Sequence, residues 1–130
     1  MTTSYRVLVV DDSDHMRILV SRLLKQRGFQ QIDTAVNGKV ALEKVKAFHP
    51  DIIFLDAIMP EMGGQAVLSE VKKEYPNIVV VIMSSISARE EIVQFRDAGA
   101  DFYLLKPFEP GKFGEVVDKV LAIVKAQKEG

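Results

Sequence analysis

Five short apolar runs divide the chain, and between them the apolar residues change period. The runs are YRVLVV (5–10), QIDTAV (31–36), DIIFLD (51–56), NIVVVIMS (77–84) and DFYLLK (101–106). Each has the length of a strand and is rich in β-branched or aromatic residues, and several are apolar throughout instead of alternating, which is what burial on both faces of a sheet demands. Between them the spacing is helical. Met16, Leu19, Val20, Leu23 and Leu24 form one stripe, and Phe113, Val116, Val117, Val120, Leu121 and Val124 form another. Turn formers fall at the joints: Gly28 after the first helix, Asn37-Gly38 before the second, Pro76-Asn77 after the third and Gly99 after the fourth. Strands joined by helical crossovers are parallel and right-handed, so this alternation predicts an α/β, doubly wound (βα)5 fold with helices on both faces of one sheet. The second strand, holding Asp33 and Thr34, is the most polar and is expected at an edge.

A chain of 130 residues can bury a full core, so a single domain spanning 1–130 without a linker is expected. With 48% hydrophobic and 27% charged residues and a net charge of −1, the chain exerts no long-range pull on polyanions, which argues against nucleic-acid or membrane-surface roles. There is no cysteine, which removes disulfides and thiolate metal sites. The start, MTTSYR, lacks the apolar core of a signal peptide, and no run approaches the roughly 20 residues of a membrane span, so a cytoplasmic protein is expected.

The chemistry lies at the strand ends. Asp11 and Asp12 close the first run, Asp56 the third, Ser84 and Ser85 the fourth, and Lys106 the fifth. A parallel sheet gathers all its carboxyl ends on one edge, where ligands bind at the point of strand-order reversal. Three carboxylates, a hydroxyl and an ammonium should therefore meet in one cleft. Carboxylates this close repel by roughly 4 kcal/mol per pair at 4 Å in a partly shielded site, and a hard divalent cation such as Mg²⁺ is the natural balance. Without cysteine or paired histidine ligands, zinc does not fit. A carboxylate can also attack phosphorus and form an aspartyl phosphate, with the lysine and a hydroxyl meeting the phosphoryl oxygens. Neither a GxxxxGK[ST] loop nor a GxGxxG follows a strand, so nucleotide-binding parts are missing.

The segments VVDDSDHMR, DIIFLDAIMPEMGG, VVVIMSS and AGADFYLLKPF, with their spacing, closely resemble the receiver domain of two-component response regulators, especially the stand-alone chemotaxis (CheY-like) type. The resemblance covers nearly the whole chain. It implies a flavodoxin-like sheet of order 2-1-3-4-5 and no output domain. It makes Asp56 the phosphoacceptor, Asp12 a direct Mg²⁺ ligand and Asp11 a second acid acting mainly through metal-bound water. Ile58 would give the metal its backbone carbonyl, Ser84 would be the switch hydroxyl, Lys106 the phosphoryl partner and Tyr103 the aromatic whose rotamer reports activation. In the family the Lys106–Pro107 bond is cis. The implied partners are a histidine kinase as phosphodonor and a downstream protein on the surface of the fourth helix, fifth strand and fifth helix, near Ile92, Tyr103 and Phe108. The chain should be monomeric; dimerisation on phosphorylation stays open.

Some positions depart from the pattern. Gly63 stands where MPxMDG usually has Asp, a change expected to affect loop flexibility more than chemistry. Ile58 and Ile86 flank the site where many relatives carry polar residues that position the hydrolytic water, and both are expected to slow dephosphorylation. His15 and His49 make no HxxxH pair and read as ordinary surface residues. Met16, Met59, Met62 and Met83 read as gap fillers. Lys112, Lys119, Lys125 and Lys128 line the last helix but are interrupted by Glu115 and Asp118, as on a solvated face.

Two other readings compete with the switch. Asp12 and Asp14 also fit the DxD of a haloacid-dehalogenase-like phosphatase, with Asp12 as nucleophile and Asp14 as acid/base. Against it, His15-Met16 is an unusual continuation and LDAIMPEMGG would go unexplained. The third reading is an adaptor that works without phosphorylation.

Overall fold

The computed structural model describes residues 2–129 and contains five strands and five helices in strict alternation. They are β1 (Thr3–Val10), α1 (Asp14–Gln26), β2 (Phe29–Ala35), α2 (Gly38–Phe48), β3 (Ile52–Asp56), α3 (Gly64–Glu74), β4 (Val79–Ser84), α4 (Arg89–Asp97), β5 (Phe102–Leu105) and α5 (Pro110–Glu129). The strands form one sheet of order β2-β1-β3-β4-β5, parallel at every pairing. The polar strand β2 is at an edge, as its composition requires.

The unbroken apolar runs are explained by two cores, one on each face. Successive side chains of a strand point to opposite faces. Leu8, Val10, Ile53, Leu55, Val80 and Ile82 accordingly pack with Ala41 and Val45 of α2, Val67, Leu68 and Val71 of α3, and Phe95 of α4. Their neighbours Val7, Val9, Ile52, Phe54, Val79, Val81 and Met83 pack on the other side with Val20 and Leu24 of α1 and with Phe113, Val117, Val120 and Val124 of α5. Three helices thus cover one face and two the other. Phe54 stacks on Phe113 at 5.4 Å and Phe113 on Phe108 at 5.7 Å, tying the central strand to α5 and to the loop before it.

The joints differ from the sequence expectation in detail. Gly38 is the first residue of α2, not part of the preceding turn, because the Asn37 side chain caps the helix by accepting from the Val40 N–H at 2.8 Å. Strand β2 begins earlier than expected, at the buried Phe29, and ends before the exposed Val36. Strand β4 begins later, since the Ile78 N–H is turned back to the Tyr75 carbonyl. Gly28 and Gly99 follow helices with φ of 94° and 108°, a conformation open to glycine. Among the described residues no helix is long and apolar enough to cross a membrane.

Candidate functional site

Strand β1 has β2 on one side and β3 on the other, so the order reverses there and a crevice opens beyond the carboxyl ends of β1 and β3. The register pairs Val10 with Leu55, which brings the next residues, Asp11 and Asp56, out side by side. Asp56 pairs with Met83, so Ser84 stands one step further along β4. The Lys106 N–H donates to the Ser84 carbonyl at 2.8 Å and carries β5 to the same edge. The Lys106–Pro107 peptide bond is cis.

Local sequence fixes Asp11. Its N–H donates to the Ala35 carbonyl at 3.2 Å, its Oδ1 accepts from the Ser13 N–H at 2.9 Å, and its carbonyl accepts from Arg17 Nη1 at 2.7 Å. Ser13 caps α1 by accepting from the Met16 N–H, and Asp14 fills the first helical turn, where the helix dipole favours an acid. The consequence is a fully buried Asp11 beside an exposed Asp12. Asp56 is 6% exposed and Ser84 2%.

One cation serves the two buried acids. Lys106 Nζ donates to Asp11 Oδ2 at 2.9 Å and to Asp56 Oδ1 at 3.2 Å. Burial pushes the Asp56 carboxyl up, the Asp11 charge pushes it the same way, and Lys106 offsets them only in part, leaving Asp56 at about 6. Burial by itself lowers the Lys106 ammonium, but the hydrogen bond to Asp11 and the charges of Asp56 and Asp11 outweigh it and hold it above the ordinary lysine value. Carboxylate oxygens of Asp11, Asp12 and Asp56 all lie within 4.8 Å of one another. This is an all-oxygen donor set with excess negative charge, which suits a hard divalent cation.

Beside the cluster, Ser84 Oγ accepts from the Ile86 N–H at 3.0 Å, and the Tyr103 hydroxyl donates to the Ile86 carbonyl at 2.8 Å. Tyr103 is half-buried and packs against Phe95 with ring centroids 6.0 Å apart. Ile92 and Tyr103 line a groove of about 260 Å³ between α4 and β5. Phe108 lies in a separate groove with Lys112 and Lys119, and Tyr103 borders both. Ile58 is 58% exposed on the loop after Asp56, whereas Ile86 is half-buried.

Other polar residues stay apart. Asp14 pairs with Arg17 on α1 and is outside the acidic group, which removes support from its role as acid/base beside Asp12. His15 is exposed in the first turn of α1, and His49 is exposed at the end of α2. The four lysines of α5 are all exposed. Ser13 and Arg17, which hold the backbone and carboxylate of Asp11, were not among the expected site residues. For Ser13 the available signal is a cap residue just before an apolar helical stripe.

The arrangement can hold a divalent cation and offers an aspartate, an ammonium and a hydroxyl to a phosphoryl group. Comparison with known proteins agrees. Residues 7–118 match the family model described as the response regulator receiver domain. The chain is 35% identical to the chemotaxis protein CheY of Thermotoga maritima over 88% of its own length and 96% of that protein's. It is 32% identical to the Bacillus subtilis chemotaxis protein CheY, over 91% and 98% of the two chains. Among solved structures, Vibrio cholerae chemotaxis protein CheY4 superposes with a TM-score of 0.85 at 29% identity, covering 91% of this chain and 99% of that one. NtrX from Brucella abortus gives 0.89 at 30% identity, over 98% of this chain and 29% of that one. Fold, acidic crevice and sequence all agree, and the chain belongs to the response regulator receiver family as a receiver domain of the CheY type.

Proposed function

We propose that Asp56 accepts a phosphoryl group from a histidine kinase with Mg²⁺ present, and that the phosphoprotein is a signalling switch acting in chemotaxis or a related phosphorelay. The observation that carries this reading is the Lys106 ammonium placed between Asp11 and Asp56 at the crevice. Three carboxylates against one ammonium leave an excess of two negative charges when all are ionised, and Asp11, Asp12 and Asp56, with the Ile58 carbonyl, are the residues that would hold Mg²⁺. When bound, the ion supplies positive charge to the acids and to the oxygens of an incoming phosphoryl group.

An oxygen of Asp56 attacks phosphorus in line as the bond from phosphorus to the donor imidazole breaks, and the imidazole leaves with the electron pair. Lys106 follows the new charge and donates to a phosphoryl oxygen. Ser84 gives up the Ile86 N–H and donates its hydroxyl to another, so the β4–α4 loop moves with it. Tyr103, bonded to the same residue, carries the change toward the grooves of α4, β5 and α5, where Ile92 and Phe108 meet a downstream protein. The acyl phosphate is later hydrolysed by water, which restores Asp56. On this reading the domain functions as a monomer in the cytoplasm, where the kinase presents its phosphohistidine.

The test is incubation with acetyl phosphate and Mg²⁺, borohydride trapping and mass spectrometry. Label at Asp56 supports the switch. Label at Asp12 would establish the phosphatase reading, and no label the adaptor.

A further inference from the structure

We infer that Gly38, on α2, is a positioning residue for the phosphoacceptor loop, because it is the seat on which Met62 closes that loop. The inference rests on the reading of Asp56 and its loop given above. The loop between β3 and α3 runs from Ala57 to Gly63, and the buried residues Ala57 and Met59 anchor its first half. Its second half is held differently. Glu61 has φ 67°, in the left-handed region that a non-glycine residue keeps only when its surroundings enforce it. The Met62 N–H is folded back to the Pro60 carbonyl at 2.8 Å, and the Met62 side chain packs against the core beneath α2 and α3.

The contact that closes this half is with Gly38. A Cβ on Gly38 would lie 2.9 Å from each of Met62 Cβ, Cγ and Sδ. Three atoms including the Cβ are involved, so swinging the thioether aside would not relieve the clash; the Met62 backbone itself would have to lift. Gly38 is buried in the first turn of α2, and its φ is not in the left-handed region, so the backbone there does not require glycine. Alanine is also the better helix former. Space under Met62 is what remains as the reason for glycine. Lifting Met62 would release Glu61 and shift the segment that begins at Asp56 and carries Ile58, whose carbonyl is assigned to the metal. The nearest atoms to a Cβ at Gly38 all belong to Met62, so Gly38 acts on the loop through Met62.

The test is a double-mutant cycle on the full chain with Gly38→Ala, Met62→Gly and the pair. Mg²⁺ affinity is read by titration followed in amide NMR spectra, and the Ile58 and Met59 amide shifts are read without metal. Gly38→Ala should weaken Mg²⁺ binding about 10-fold, as loss of support around a metal ligand typically does, and should move the metal-free Ile58 and Met59 resonances. With Met62→Gly, all three close contacts are removed, and Gly38→Ala should then change affinity less than about 2-fold. Equal effects of Gly38→Ala in both backgrounds, or unchanged Ile58 and Met59 shifts, would overturn the inference. If Gly38→Ala unfolds the protein, a folded double variant that behaves like Met62→Gly supports the same coupling, and an unfolded one overturns it. A wild-type protein blind to Mg²⁺ would defeat the functional reading instead, while the metal-free shifts would still test the seat.

Discussion

The Lys106 ammonium lies 2.9 Å from Oδ2 of Asp11, a residue 95 positions earlier in the chain. Because Nζ also reaches Asp56, one cation offsets two buried carboxylates, and neither acid has another cationic side chain within ion-pair distance among the described residues. Removing it leaves two acids facing each other out of water. Lys106→Met keeps most of the apolar stem, and at about pH 7 without metal it should cost roughly 3 kcal/mol of stability, the scale for breaking a buried pair. The loss should shrink in acid as Asp56 takes up a proton and no longer needs the cation. Urea unfolding of both proteins across pH measures this, and a pH-independent difference would contradict it.

Asp56 itself should destabilise the metal-free fold at neutral pH. Its folded-state value of about 6 lies above the ordinary 3.8, so between those values the native protein binds more protons than the unfolded chain. Stability therefore falls as pH rises through that window, and the full penalty is present above about pH 6. Asp56→Asn removes the charge but keeps an acceptor for Lys106. The variant should be more stable than wild type near pH 7.5, by on the order of 1–3 kcal/mol. The difference should vanish toward pH 4, and thermal unfolding in metal-free buffer at several pH values provides the check.

Mg²⁺ should reverse the sign of that argument, because a cation among Asp11, Asp12 and Asp56 favours their ionised forms. At 100 times its dissociation constant the ion should stabilise the protein by about 2.7 kcal/mol, and chelation should return the loss. Asp12 is exposed and makes no ion pair with a described residue, but its carboxylate lies in the acidic group and, after burial and Asp11, adds to the upward push on Asp56, so Asp12→Asn should not lower metal-free stability while it removes most of the Mg²⁺ response. Calorimetric melts with Mg²⁺ and with EDTA separate the two effects.

What the sequence makes legible follows from which physical signals are local. Burial of a central strand on both faces must be written as an unbroken apolar run, so β1, β3 and β4 are plain, and Asp33 and Thr34 mark β2 as an edge. Polar residues at strand ends are equally plain, since Asp11, Asp56, Ser84 and Lys106 interrupt those runs. The element α4 is fainter, because only Phe95 of its nine residues is buried and little stripe is left to see. Contacts between elements distant in sequence leave no local signal. The seat of Met62 on Gly38 is of this kind, and so is the separation of Ile92 and Phe108 into two grooves. At Gly63 the sequence suggests altered flexibility; the structure makes it the cap of α3, with φ −72° and no side-chain hydrogen bond, so the absent carboxylate is a missing helix cap.

Ile58 and Ile86 should slow loss of the phosphoryl group. Ile58 exposes 58% of its surface two residues after Asp56, and Ile86 follows Ser84 by two with its backbone held by Ser84 and Tyr103, so two apolar residues flank the strand ends where many relatives of this family carry polar ones. Replacing Ile58 with Asn and Ile86 with Glu supplies groups that can orient a water by hydrogen bonding. The double variant should lose its label about 10-fold faster or more, within the range that one positioned acid–base group contributes. Decay of the phosphoprotein after removal of acetyl phosphate measures the rate, and an unchanged half-life would exclude the idea.

Ser84 and Tyr103 hold opposite ends of the same residue, Ile86, one at its N–H and one at its carbonyl. On the proposed switch, a hydroxyl that leaves the N–H to meet a phosphoryl oxygen would free one end of Ile86 while Tyr103 keeps the other, so the movement should pass to the ring of Tyr103 and its neighbour Phe95. Ser84→Ala deletes the first link without touching the acids. The unphosphorylated variant should lose about 1 kcal/mol at the β4–α4 loop, visible as faster exchange of the Ile86 amide. It should still be labelled at Asp56, because the nucleophile and Lys106 are intact. After labelling, the Tyr103 and Phe95 resonances should stay near their unphosphorylated positions, whereas in wild type they should move. Shifts of equal size in both proteins would mean that the signal reaches α4 by a route other than Ser84 and Ile86.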